Sequence, residues 1–136
     1  MIERKQIRVG NLIADKNGNE VSVLDIYMTG EGYSLRVMGV KVGIPDPQPI
    51  ESFKPIPLTE EWLVKLGFEK VISNAVDFIG RPMKIVDFNL GSWTVNDEKG
   101  KYTFCVESAL GLTDIQYVHQ LQNLYFALTG TELTIK

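Results

Sequence analysis

From Ile115 to Thr131 the chain carries no charged side chain, and this stretch restricts the fold more than any other. Read at 100° per residue over 113–129, Tyr117, Val118, Leu121, Leu124, Tyr125 and Leu128 fall in one stripe about 120° wide. Ile115 and Phe126 widen it, with His119 and Gln122 beside them, to roughly 220° of the circumference. Gln116, Gln120, Asn123 and Ala127 take the opposite face. Thr113 and Gln116 have capping-box spacing, Leu112 and Tyr117 the spacing of a hydrophobic staple, and Gly130 is a stop signal. A helix is therefore expected over 113–129. Surface helices carry Lys or Glu on the wet side, so this one is expected to be covered on most sides. One sheet covers little more than half of such a stripe. The remainder falls to other parts of the chain or to a second copy or protein partner. Trp62, Ile115, His119, Gln122 and Phe126 are the candidate interaction surface.

The rest of the chain reads as what does the covering. Residues 6–54 hold four or five short strands, with turns at Gly10-Asn11, 15–19 and 29–32. Asn17-Gly18 between apolar runs reads as a type I′ hairpin turn, since both central positions of that turn need φ > 0. An irregularity is expected near Leu24-Asp25. A further strand runs from Tyr33 through Val37 to Val40 and Val42, bent at Gly39. Such short, closely spaced strands suit a small SH3-like barrel or a curved sheet. Residues 44–57 hold five of the six prolines and read as a stiff connector, with Ile50–Phe53 available as an edge strand. A P-x-x-P ligand is the other reading of that segment.

Thr59 then caps a short helix, with Glu60 and Glu61 at its positive end, Leu58 and Leu63 as a staple and Gly67 as the stop. Trp62, Leu63 and Leu66 form its apolar face. Candidate strands follow at 68–72, 76–79, 83–90, 93–96 and 102–107, with a turn over 96–100. Residues 108–112 read as a connector and 132–135 as a short closing strand. The class is α+β. An N-terminal β-barrel-like segment at 1–54 leads to a helix–sheet–helix unit at 55–136, whose long last helix packs on an antiparallel sheet. At 136 residues these are one compact domain or two very small ones.

Charge narrows the function. The net charge is −3; residues 1–56 carry seven basic and seven acidic side chains, and 57–136 carry seven and ten. Nucleic-acid binders concentrate Lys and Arg on one face, and the densest basic run here, Arg4-Lys5 with Arg8, has Glu3 within reach. No nucleic-acid partner is expected, although an adaptor working through the SH3-like segment is one alternative. A single cysteine excludes an intrachain disulfide, and no apolar run approaches 18 residues. The expected setting is cytoplasmic and reducing, without a membrane partner.

Two strings, P-I-P-L-T-E-E-W-L-V-K-L-G-F-E-K at 55–70 and Y-V-H-Q-L-Q-N-L-Y-F-A-L-T-G-T-E-L-T-I at 117–135, stand out together with R-V-G-N at 8–11. They resemble a group of small proteins of gut anaerobic bacteria, often encoded near prophage or other mobile-element genes. The resemblance covers the two helices and the first turn, about a quarter of the chain. It implies an accessory protein of a bacterial mobile element or prophage. Since no activity is established for that group, it places no catalytic residue on this chain.

Chemistry has few candidates. The chain has no phosphate loop, no dinucleotide fingerprint and no H-E-x-x-H, so no cofactor or metal is expected. A small hydrolase would draw on Asp87 in the strand V-D-F-N-L, on Cys105 or on His119. Each has a plainer reading: Asp87 as a solvent-facing strand residue, Cys105 as a structural thiol, His119 as a polar contact within the helix face. The reading with most support is a non-enzymatic accessory or protein-interaction protein.

Overall fold

The described residues of the computed structural model are 2–30, 32–39, 46–106 and 110–136, with the backbone alone described at 106 and 110–112. They form nine strands and two α-helices, divided between two units. The strand expected at Val40 and Val42 lies outside the described residues, as do Pro45 and residues 107–109 of the expected strand end and connector.

The first unit is Met1–Pro57 together with Tyr117–Leu133. Its strands β1 (Leu12–Ala14), β2 (Glu20–Thr29), β3 (Gly32–Met38) and β4 (Gln48–Pro49) pair antiparallel in that order as a curled half-barrel. Alternation places Ile13, Val21, Val23, Leu35 and Val37 inside, packed with Ile2, Ile7, Ile50 and Phe53. The expected irregularity is a register shift between Val23 and Asp25. It has a packing reason: Val23 and Ile26 both meet the core although three positions separate them. A strand of period two needs one extra residue to allow that. Past the shift Asp25 stands opposite Arg36, whose Nε donates to its carboxylate at 2.8 Å.

The Asn17-Gly18 turn differs from the type I′ expectation. Ala14 pairs with Glu20, leaving a five-residue loop in which only Gly18 takes positive φ, at +82°. This is a type I turn closed by a left-handed glycine, and Asp15 fixes it by accepting the N–H groups of Asn17 and Asn19, both at 2.9 Å. Residues Ile50–Ser52 form a 3-10 turn rather than an edge strand, because Pro49 has no N–H to extend the ladder and leads directly into the turn. The pairing moves to Lys54, which exchanges two backbone hydrogen bonds of 2.9 Å with Ala14.

Helix α2 (Val118–Thr129) belongs to this unit, and it starts five residues later than expected. Its N-cap is Tyr117, whose N–H is accepted by Gln120 Oε1 at 3.1 Å, so the capping signal lies one turn beyond the Thr113–Gln116 pair. Gly130 ends it at φ +74°, with its N–H on Phe126 O at 2.8 Å.

The second unit is Leu58–Gln116 with Thr134–Lys136. Helix α1 (Glu60–Lys65) is capped as expected, Thr59 Oγ1 accepting from Trp62 N–H at 3.3 Å. It buries Trp62 and Leu63, and Leu58, Leu66 and Phe68 beside it are also buried. Strands β5 (Glu69–Val76), β6 (Pro82–Leu90), β7 (Trp93–Glu98), β8 (Lys101–Val106) and β9 (Leu110–Ile115) follow as an antiparallel meander. The row Phe88–Val95–Phe104 crosses its core face, and the Trp93 ring stacks on Phe104 with centroids 5.6 Å apart. Two expected strands, 68–72 and 76–79, are one strand ending at a turn over 77–81. Residues 113–115, expected in the last helix, belong to β9, with Phe104 opposite Thr113 and Tyr102 opposite Ile115. The expected closing strand is absent from 132–135; instead Lys136 N–H bonds Lys65 O at 2.9 Å. The units therefore do not divide at 54/55. The chain crosses at Pro57/Leu58, returns for α2, and groups that helix with the first sheet instead of the second.

Candidate functional site

The amide face of α2 has an internal explanation. Gln122 Oε1 accepts the backbone N–H of Leu12 at 2.8 Å, and its Nε2 donates to Leu133 O at 3.0 Å. Asn123 donates to Gln6 O at 2.7 Å and accepts from Asn11 Nδ2 at 2.8 Å. Arg8 donates to Glu132 through both terminal nitrogens, at 2.6 and 3.0 Å, and its guanidinium lies 4.1 Å from the Phe126 ring centroid. Gly10 at φ +96° lets the chain pass this pair, since a Cβ there would sit 3.4 Å from the Glu132 carboxylate. The strings R-V-G-N and Y-V-H-Q-L-Q-N are thus brought together, as a hydrogen-bonded seam whose groups serve one another.

Of the candidate interaction residues, four are buried and one stays exposed. Ile115, His119, Gln122 and Trp62 are buried, and Phe126 is 39% exposed beneath Arg8. His119 is the anomaly among them. It is 2% exposed, lies parallel to the Tyr117 ring at 5.8 Å, and neither ring nitrogen has a hydrogen-bond partner among the described residues. Burial lowers its pKa to about 4, so the imidazole is neutral at pH 7.

Asp87 and Cys105 lie on the face of the second sheet opposite Phe88. Asp87 accepts from Asn96 Nδ2 at 2.8 Å across the strand pair, and Thr94 donates to Asn89 at 2.9 Å on the same face. Cys105 is buried; its burial, and after that the nearby Asp87 charge, push its thiol pKa up, away from the reactive thiolate. His119 bonds to neither of them. Among the described residues, no nucleophile, base and orienting group converge around Asp87, Cys105 or His119. Among the described residues no three His, Cys, Asp or Glu side chains group to hold a metal, and no helix is long and apolar enough to cross a membrane.

An apolar surface stands elsewhere, on residues that hydrophobic periodicity and motif spacing do not single out. The β5–β6 hairpin exposes Ile72 (56%), Val76 (67%), Phe78 (96%) and Ile79 (59%), together with Val71 and Met83. Its turn copies the first one. Asp77 accepts the N–H groups of Ile79 and Arg81 at 3.0 and 2.9 Å, and Gly80 closes it at φ +84°. Three backbone and side-chain hydrogen bonds from Arg81 and Ile79 hold the Asp77 carboxyl below its usual range, that of Arg81 N–H foremost. The two turns read D-K-N-G and D-F-I-G. Apolar residues in place of Lys and Asn at a turn centre are the signal that could have found this surface. Compared with protein-family models, with curated proteins and with solved structures, the chain matches none.

Proposed function

We propose that this chain works by binding another protein, and that the β5–β6 hairpin makes the contact. The turn at 77–81 carries the reading. Its hydrogen bonds fix the loop, and its two central side chains are a nearly fully exposed Phe78 and a largely exposed Ile79. Turn centres favour polar or small residues, and nothing in this geometry calls for apolar ones. An exposed aromatic–aliphatic pair on an ordered loop is how interface anchors are presented. The accessory role implied by the resembling strings fits a protein whose output is a contact. In this reading the first unit, SH3-like in plan, is scaffold.

A photo-crosslinking residue at position 78, compared with one at Lys16 in the matching first turn, tests the proposal in the cells that make the protein. We expect an adduct from position 78 that position 16 does not form and that Ile79→Ser abolishes. Equal adducts from both positions, or none from 78, would overturn it.

A further inference from the structure

We infer that the hairpin's partner is a second copy of this chain, added edge to edge along β5 about a two-fold axis at Asn74. The inference rests on the hairpin being a contact surface and names what it contacts.

β5 is the outer strand of its sheet, eight residues long and without proline. Asp77 donates its N–H to Arg81 O at 2.9 Å, so 77 and 81 are a hydrogen-bonded pair. By antiparallel alternation, residues 75, 73, 71 and 69 then bond to β6. The N–H and C=O groups of Lys70, Ile72, Asn74 and Val76 therefore point away from the sheet, where no strand of the described residues pairs with them. Such a row is a template for another strand.

Side chains select the occupant. Lys70, Ile72, Asn74 and Val76 share the face on which Phe88 is buried, because Lys70 stands opposite Phe88. That face continues past its cover, which is why Ile72 and Val76 are mostly exposed. An identical strand related by a two-fold axis perpendicular to the sheet keeps the same faces together and must pair residues of equal parity. With the axis at Asn74, each Ile72 meets the other copy's Val76, twice over, and the Asn74 side chains meet each other. Three outward pairs supply about six backbone hydrogen bonds. With the axis one residue earlier, Glu69 would face the other copy's Asp77, a like-charge opposition. With the axis at Ile72, each Val76 faces Phe68, which is already buried in its own copy. With the axis at Ala75, Val76 faces Asn74 and Ile72 reaches past the end of the strand to Phe78 in the turn. The Asn74 register pairs Ile72 with Val76 within the strand and opposes no charges. It moves the expected second copy from the α2 face to the β5 edge.

The test uses the full chain. Sedimentation from about 10 µM to about 1 mM should show the mass rising toward that of two chains. Asn74 is exposed and bonds outward, so Asn74→Asp leaves the fold intact, as an unchanged melting curve will verify. It should weaken self-association at least tenfold by placing two carboxylates in contact. Mixing Asn74→Asp with Asn74→Lys chains should restore a dimer of one of each. A parent chain that stays single throughout overturns the inference, and so does an Asn74→Asp chain that associates as well as the parent. Tighter association of Asn74→Asp overturns it too, since that would place Asn74 against Lys70 with the axis at Ile72. If the chain stays single while position 78 crosslinks a different protein, the hairpin remains a contact surface and only the second copy fails.

Discussion

Among the described residues, His119 is the one buried polar side chain whose nitrogens go unsatisfied, and its surroundings set a pH dependence. Unfolded, the imidazole titrates near 6.5; folded, burial lowers it to about 4. Between those values the unfolded chain binds more protons, so stability falls as pH drops from 6.5 toward 4 and is retained above 6.5. The gap corresponds to about 3 kcal/mol. Urea unfolding at pH 7 and 4.5 should show most of that loss in the parent, and His119→Phe should remove most of it. Asp77, held below its usual range, gives up its contribution only at lower pH, so it does not blur this window. Equal losses in parent and variant would mean that His119 reaches solvent or a partner. At this scale the sequence is informative about type and silent about partner. That Gln122 and Asn123 avoid charge is visible in the string. That they serve Leu12 N–H and Gln6 O required chain segments 110 and 117 residues apart to meet.

The same division runs through the elements. Helix α1 was legible because its cap, dipole and stop signals are local and all agree. The start of α2 was misplaced because Thr113 and Gln116 mimic a cap, while pairing of Thr113 and Asp114 with β8 decides the matter. Turns illustrate the point best. Asn17-Gly18 has the composition of a type I′ turn but sits in a longer loop set by Asp15. Among the described residues, the two-residue turn with positive φ at both centres is Lys99-Gly100 between Glu98 and Lys101, at 52° and 84°. Lysine pays a conformational penalty there that asparagine largely avoids. Lys99→Asn is expected to stabilise the second unit by about 0.5–1 kcal/mol, read as a higher denaturation midpoint at unchanged slope. An unchanged or lower midpoint would mean that the lysine makes a compensating contact.

For the whole molecule, the two units interleave in sequence. A plan of 1–54 followed by 55–136 suggests that the first part can stand alone. The first unit, however, includes Val118, Leu121 and Leu133 among its buried residues, and Gln122 satisfies backbone groups of Gly10 and Leu12. A fragment of residues 1–57 is therefore expected to lack cooperative unfolding and dispersed amide resonances. Adding a peptide of residues 117–133 should restore both. A 1–57 fragment that folds unaided would make α2 dispensable to the half-barrel.

By itself the sequence determined the α+β class, the strand-rich N-terminal segment with its bulge near Asp25, the capped first helix and a charge-poor final helix, whose expected cover on most sides stops short of the exposed Phe126, Ala127 and Leu128. These follow from patterns that repeat within a few residues: period two, period 3.6, caps and glycine stops. Tertiary structure alone decided that α2 joins the first sheet, that 110–115 pairs with β8, and that apolar side chains remain outside on the β5–β6 hairpin. Hydrophobic residues report a preference for burial, but a sequence does not state how much covering surface reaches them. Ile72 and Val76 alternate like Phe88 and Leu90, and only the extent of the packed core separates the exposed pair from the buried Phe88.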